Sequence, residues 1–205
     1  MSGRTLGTAL GGVVLLGTLL ADVAAGQTFV RLGAGGTVSS TLVGEVIQNP
    51  ISQKPSFSPT GTALIGWTFR QGYRLGIEGR YATGTLEVHD GGASADDNLG
   101  RLATLQLGLV ADGPIRGALR WEAVVGMLRY MPEQEIGAFR DGVPSPLLLG
   151  GGIAWSHPLG TAMRLIVEVR YDYHAFNTAR LRSQRYSGSQ AVHRGALTLG
   201  LERGL

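Results

Sequence analysis

The chain has 205 residues, enough for a single domain, and is 43% hydrophobic but only 16% charged, where a soluble domain carries about 25% charge. Its positive charge is almost all arginine, Lys54 being the sole lysine, and the net charge is only +3; these charges are spread along the chain with no basic helix, which argues against a nucleic-acid partner. With no cysteine, disulfides and lipid attachment at a thiol are excluded.

Residues 1–25 read as a signal peptide. Arg4 supplies the positive start, Leu10 to Leu20 the apolar stretch, and Val23-Ala24-Ala25 the small residues for cleavage before Gly26. That apolar run of about eleven residues is too short for the roughly 20 that cross a bilayer as a helix. The mature domain is therefore expected to occupy 26–205, and no later segment reads as a transmembrane helix.

From there the pattern has a period of two, which places alternate residues on opposite faces of strands. Strand one is expected at Thr28 to Val38, with Val30, Leu32 and Ala34 on one face. The second, Thr60 to Arg70, aligns Ala63, Ile65, Trp67 and Phe69; the third aligns Tyr73, Leu75, Ile77, Gly79 and Tyr81 against Arg74, Gly76, Glu78 and Arg80. Strand four sets Ala103, Leu105, Leu107 and Leu109 against Thr104, Gln106 and Gly108, and strand five sets Leu119, Trp121, Ala123, Val125 and Met127 against Arg120 and Glu122. Leu147, Leu149, Ile153 and Trp155 line strand six. In strand seven Leu165, Val167, Val169, Tyr171 and Tyr173 alternate with Arg164, Glu168, Arg170, Asp172 and His174, and strand eight sets Leu197, Leu199 and Leu201 against Arg194, Thr198 and Glu202.

The connections alternate in length. Short ones are expected at Arg70-Gln71-Gly72, Ala111-Asp112-Gly113-Pro114 and Ser156 to Gly160, and long ones at Ser39 to Ser58, Gly84 to Asn98, Tyr130 to Ser145 and Ala175 to Ser189. An all-β, eight-stranded antiparallel up-and-down transmembrane barrel has this rhythm, with tight turns on one rim and loops on the other. If the leucine face pointed inward, the same pattern would describe a soluble, lipocalin-like carrier. The polar face, rich in glycine and arginine, suits a narrow lumen better than a water-exposed surface.

A charge facing lipid at mid-membrane costs about 2–4 kcal/mol, so the charged phase is expected inside, as an ion-pair network of Arg74, Glu78, Arg80, Arg120, Glu122, Arg164, Glu168, Arg170, Asp172, Arg194 and Glu202. Arg101, Arg129 and Arg203 fall in the outward phase near strand ends, where the cost is about 0–1 kcal/mol. The aromatics of the apolar face form two girdles at headgroup level: Trp67, Phe69, Tyr73 and Trp155 near the short turns, and Tyr81, Tyr171 and Tyr173 near the loops.

The paired charges read as a plug that fills an eight-stranded interior, and the sharper alternative is a gate that admits ions. His89, His157, His174 and His193 invite an enzyme, but His174-Ala175-Phe176-Asn177 has phenylalanine where outer-membrane lipid A deacylases carry serine, and His174 is in the lumen phase. Gly150-Gly151-Gly152 precedes a strand, so it offers no helix end to a phosphate. No catalytic residue, cofactor or metal is expected. Arg180, Arg182 and Arg185 in the last loop are candidate contacts to the phosphates of lipopolysaccharide.

Leu75-Gly76-Ile77-Glu78-Gly79-Arg80-Tyr81 and Leu165-Ile166-Val167-Glu168-Val169-Arg170-Tyr171-Asp172-Tyr173 carry the alternating Glu-x-Arg-Tyr strand by which the chain resembles the OmpA/OmpX-like family of small eight-stranded outer-membrane barrels. The resemblance implies a location in the cell outer membrane of a Gram-negative-type bacterium. It also implies contact with outer-membrane lipids, delivery by the barrel-insertion machinery, a monomer, and a structural or surface-interaction role without catalysis. Two departures from the family are Leu205 where members end in an aromatic residue, and the expected absence of a peptidoglycan-binding domain. A lipid-modifying enzyme, a narrow channel and a soluble carrier are the alternatives.

Overall fold

The structure, a computed structural model, describes residues 27–44, 51–90, 97–134, 139, 145–177 and 190–205. The expected signal peptide and the loop arginines Arg180, Arg182 and Arg185 lie outside the described residues.

Ten strands follow one another: β1 (Gln27–Ser39), β2 (Val43–Gly44), β3 (Ile51–Pro55), β4 (Ser58–Thr68), β5 (Arg74–Asp90), β6 (Asp97–Arg116), β7 (Leu119–Pro132), β8 (Leu147–Pro158), β9 (Met163–Phe176) and β10 (Gln190–Gly204). Eight of them, all but β2 and β3, pair antiparallel with their neighbours in chain order. Pairing of β1 with β10 closes the ring. Closure matters because an open edge would leave backbone N–H and C=O groups in lipid without partners.

The expected eight strands and their faces are those observed. Leu32, Leu107, Val169 and Leu199 are exposed on the outside, at 61%, 62%, 60% and 56%. Their sequence neighbours Arg31, Gln106, Glu168, Arg170 and Thr198 are buried within. Large aliphatic groups left uncovered around a whole barrel have no place in water; they form the outer band that a membrane barrel turns to acyl chains.

Four connections differ from expectation. The reversal between β6 and β7 falls at Gly117 and Ala118, not at Ala111–Pro114. Asp112 is still in register opposite Glu122 and Arg74, and Gly117 supplies the positive φ (59°) that a tight hairpin needs. The turn after β8 likewise shifts to 159–162, closed by the Leu159 N–H donating to the Met163 carbonyl at 2.9 Å. On the opposite rim, β5 continues beyond the end of its β4 ladder at Ala82 to Asp90. The edge so exposed is filled from the first long connection, where β3 pairs with β5 from Pro55↔Leu86 to Ile51↔Asp90 and β2 pairs with β3. Stretches expected as loops are thus partly a ribbon that prolongs the sheet past the barrel.

If lipid surrounds this surface, Val169→Arg should lower folding stability in phospholipid vesicles by about 2–4 kcal/mol, measured by denaturant titration of the refolded protein. A change below about 0.5 kcal/mol, ordinary for a water-exposed site, would contradict the assignment.

Candidate functional site in the barrel lumen

Because the strand period is two, each barrel strand sends its inward residues to one axis, and the inward set carries both signs of charge. Among the described residues, six arginines (Arg31, Arg74, Arg80, Arg120, Arg170, Arg194) and six carboxylates (Glu78, Asp112, Glu122, Glu168, Asp172, Glu202) face the lumen; all are buried except Arg120, which is nearly so. Their formal charges cancel.

The pairs cross the lumen as well as link neighbouring strands. Arg31 on β1 donates to Glu202 Oε2 on adjacent β10 through Nε and Nη2 (3.2 and 3.1 Å) and to Glu122 Oε1 on distant β7 through Nη1 (2.8 Å). It also lies 3.6 Å from Glu168 and 3.9 Å from Asp112. Arg74 Nε grips both Asp112 oxygens (2.8 and 2.9 Å), and its Nη1 reaches Glu202 Oε1 at 2.6 Å. Arg120 adds a further pair to Asp112 and donates from Nη2 to the Gly72 carbonyl at 2.6 Å, which ties the first short turn to the network. Higher in the lumen, Arg80 Nη2 donates to Glu168 Oε1 (2.6 Å) and Arg170 Nη1 to Glu78 Oε1 (2.7 Å), with Asp172 3.1 Å from Arg170 Nε. The planar guanidinium fork serves two carboxylates at once, which an ammonium point charge does less well.

Glycine makes the room. At Gly150 an added Cβ would lie 2.1 Å from Asp172 Oδ1, and at Gly152 2.6 Å from the Val169 carbonyl oxygen and 3.2 Å from Arg170 Cα. Gly150 and Gly152 of β8 are therefore the surface on which the charged side of β9 rests, a use of close backbone approach in a strand.

Above the ion pairs the lumen changes character. Arg194 is buried and donates to Thr104 Oγ1 at 3.1 Å, and Tyr130 Oη lies 2.6 Å from His174 Nε2. Beyond them Leu42, Leu102, Leu128, Leu148, Phe139, Phe176 and Val192 are buried together. Phe139, from the connection between β7 and β8, packs 5.6 Å from the Tyr130 ring and 5.7 Å from Phe176. This apolar cap at the loop end is absent from the sequence expectation, which read the inward phase as dominated by small residues with arginine and glutamate. The inward phase of β7, β9 and β10 ends in Leu128, Tyr130, Phe176 and Val192, so the signal lay in extending each alternation into the adjoining connection.

Of the residues expected in the network, Arg74, Glu78, Arg80, Arg120, Glu122, Glu168, Arg170, Asp172 and Glu202 come together as ion pairs. Arg194 reaches a hydroxyl instead. Arg164 is a correction: it stands opposite Glu202 in the ladder but is exposed and makes no ion pair among the described residues. Both Glu202 oxygens are already held by Arg31 and Arg74. Two central members were not anticipated. Arg31 shares the inward phase of β1, and Asp112 was hidden because Gly113-Pro114 beside it resembles a turn.

The expected girdles sit on the outer face at both ends. Tyr73 and Trp155 are exposed near the short turns, Trp67 and Phe69 half-buried beside them; Tyr81, Tyr171 and Tyr173 are exposed near the loops. Trp121 joins the short-turn girdle, 6.5 Å from Tyr73. Outward Arg101 is held at the loop end by Thr83 Oγ1 (2.8 Å) and Tyr81 Oη (2.9 Å), and the Glu133 carboxylate accepts its backbone N–H.

Histidines are dispersed. His174 is inside with Tyr130, His157 stacks on Trp155 at 5.4 Å, and His193 is outside, hydrogen bonded to Tyr171. None of these three contacts a carboxylate among the described residues, and no described group of three or more His, Asp or Glu is placed to hold a metal. Each lumen carboxylate is engaged by arginine, so the arrangement holds charge in place.

No family model matches the chain, and no curated protein is similar to it by sequence. Solved structures are similar in fold. Neisserial surface protein A superposes with a TM-score of 0.55 at 13% identity, covering 87% of this chain and 97% of that one. The outer-membrane protein OprG from Pseudomonas aeruginosa gives 0.56 at 12% identity, covering 87% and 96%. The fold is thus that of the small eight-stranded outer-membrane β-barrels, the architecture of the OmpA/OmpX-like group.

Removing one partner from a buried pair leaves the other charge uncompensated, at a cost of about 3–5 kcal/mol. Arg170→Met should therefore destabilise the folded barrel by about that amount, and Arg170→Met combined with Glu78→Gln by less than the sum of the two single changes. Additive losses in a denaturant double-mutant cycle would show that Arg170 and Glu78 do not act as a pair.

Proposed function

We propose that this protein is a non-enzymatic, monomeric barrel of the outer membrane. Its lumen is a structural plug, and its working surface is the loop-side rim. The observation that carries this reading is the filling of the lumen: a charge-balanced set of cross-lumen pairs below and an apolar cap led by Phe139 and Phe176 above. An ion entering such a path would have to displace paired guanidinium groups and then part a packed aromatic cluster. A conduction path instead needs sites that ions can both enter and leave.

The loop side supports a role in surface contact. The ribbon of β2, β3 and the end of β5 prolongs the sheet beyond the barrel, and such projecting segments carry function on rigid scaffolds. Arg180, Arg182 and Arg185 belong to the last connection on that side and would meet the phosphates of lipopolysaccharide there. Arg101, fixed by Tyr81 and Thr83 on the outer face, adds a cation at headgroup height. Delivery by the barrel-insertion machinery follows from the fold's need for a membrane before its apolar band can be covered.

The expected result is a protein recovered in the outer-membrane fraction, shifted in gel mobility by boiling, and electrically silent in planar bilayers. It should also release no fatty acid from lipid A or phospholipid. Steady single-channel openings would overturn the plug, and lipid turnover abolished by His193→Ala would overturn the non-enzymatic reading.

A further inference from the structure

One arginine at the short-turn mouth stands outside the charge-balanced set of the lumen. Arg164 lies in the inward phase at the short-turn end of β9, is exposed, and has no ion pair among the described residues, while both oxygens of Glu202 opposite it accept from Arg31 and Arg74. It lines a cavity of about 160 Å³ at that mouth of the barrel, together with Gln27, Thr68, Thr161, Arg74 and Glu202.

Arg74 contributes a second donor. It is buried, held by Asp112 and Glu202 and stacked 4.7 Å over the Phe29 ring, yet its Nη2 has no hydrogen-bond partner among the described residues. A buried guanidinium N–H left without an acceptor is costly. Thr68, Thr161 and Gln27, which line the same cavity, add two hydroxyls and an amide to its wall. The one carboxylate there, Glu202, has both oxygens occupied.

We propose that this mouth is a binding site for a phosphate-type oxyanion, gripped by Arg164 and completed by Arg74 Nη2 and the threonine hydroxyls. Guanidinium forks match the oxygens of such a group, and their charge-assisted hydrogen bonds are the stronger kind. The cavity has room for a phosphate group. The chemistry has two sources: the headgroup of a phospholipid in the leaflet that meets the short-turn rim, where Trp67 adjoins Thr68, or free phosphate.

The test uses the full-length protein folded in detergent micelles, titrated with inorganic phosphate and followed by calorimetry and by the NMR shift of the Arg164 Nε. Saturable binding is expected, weakened roughly tenfold or more in Arg164→Gln and unchanged in Arg116→Gln, which alters an exposed arginine of the same rim outside the cavity. Arg164→Gln should fold normally, since Arg164 carries no ion pair; the mobility shift on boiling checks this. Phosphate displaced by short-chain phosphatidylglycerol but not by the matching phosphatidylcholine would identify the headgroup as the source. Displacement by neither would identify the free anion. Equal binding by Arg164→Gln and the parent protein, or no saturable binding of phosphate or phosphatidylglycerol, would sink the proposal.

Discussion

The structure depends on one constraint: charges placed inside an eight-stranded barrel must be neutralised by one another, because the wall shields them from water and lipid lies beyond it. Six guanidinium groups balance six carboxylates in formal charge, and among the described residues all of them but Arg194 form ion pairs. Arg31 is the centre of the arrangement, touching carboxylates from β6, β7, β9 and β10. Such buried pairs add less net stability than their Coulomb attraction suggests, since desolvation offsets much of it. Their larger effect is on register. A slip of one residue in any strand would turn its charges to lipid and its leucines to the arginines, so one alignment is favoured far above its neighbours.

Along the axis the interior is graded. At the short-turn end Arg74, Arg120 and Asp112 tie the network to the backbone of the first turn through the Gly72 carbonyl. The middle holds the cross-lumen pairs, and the loop end is closed by leucines and aromatic rings that need no counter-ion. The grading answers a physical difference between the two ends. Short turns present backbone carbonyls that arginine can use, whereas a long connection can fold a side chain such as Phe139 back into the mouth.

Outside, the same alternation produces an aliphatic band bounded by aromatic rings. Sequence identity of 12–13% to barrels of the same fold is intelligible on this basis. Lipid asks only that the outward residues be apolar, and the lumen asks that charges find partners. Neither demand specifies a particular side chain at a particular place.

Strand number, the faces of each strand, the inside-out polarity and the outward placement of Tyr81, Tyr171 and Trp155 were legible in the sequence, because all follow from a period of two and from the cost of placing a charge in lipid. Where pairing ladders end was not. Asp112 sat beside a glycine and a proline that imitate a turn, and β3 forms only because β5 outruns β4 and leaves an edge to cover. Nor could alternation say which inward arginine finds which carboxylate. That was decided across the lumen, where Glu202 is bonded to Arg31 and Arg74 and not to Arg164. Periodicity is local and survives in the linear chain, whereas the partner of a buried charge is set by strands far apart in sequence that only barrel closure brings together.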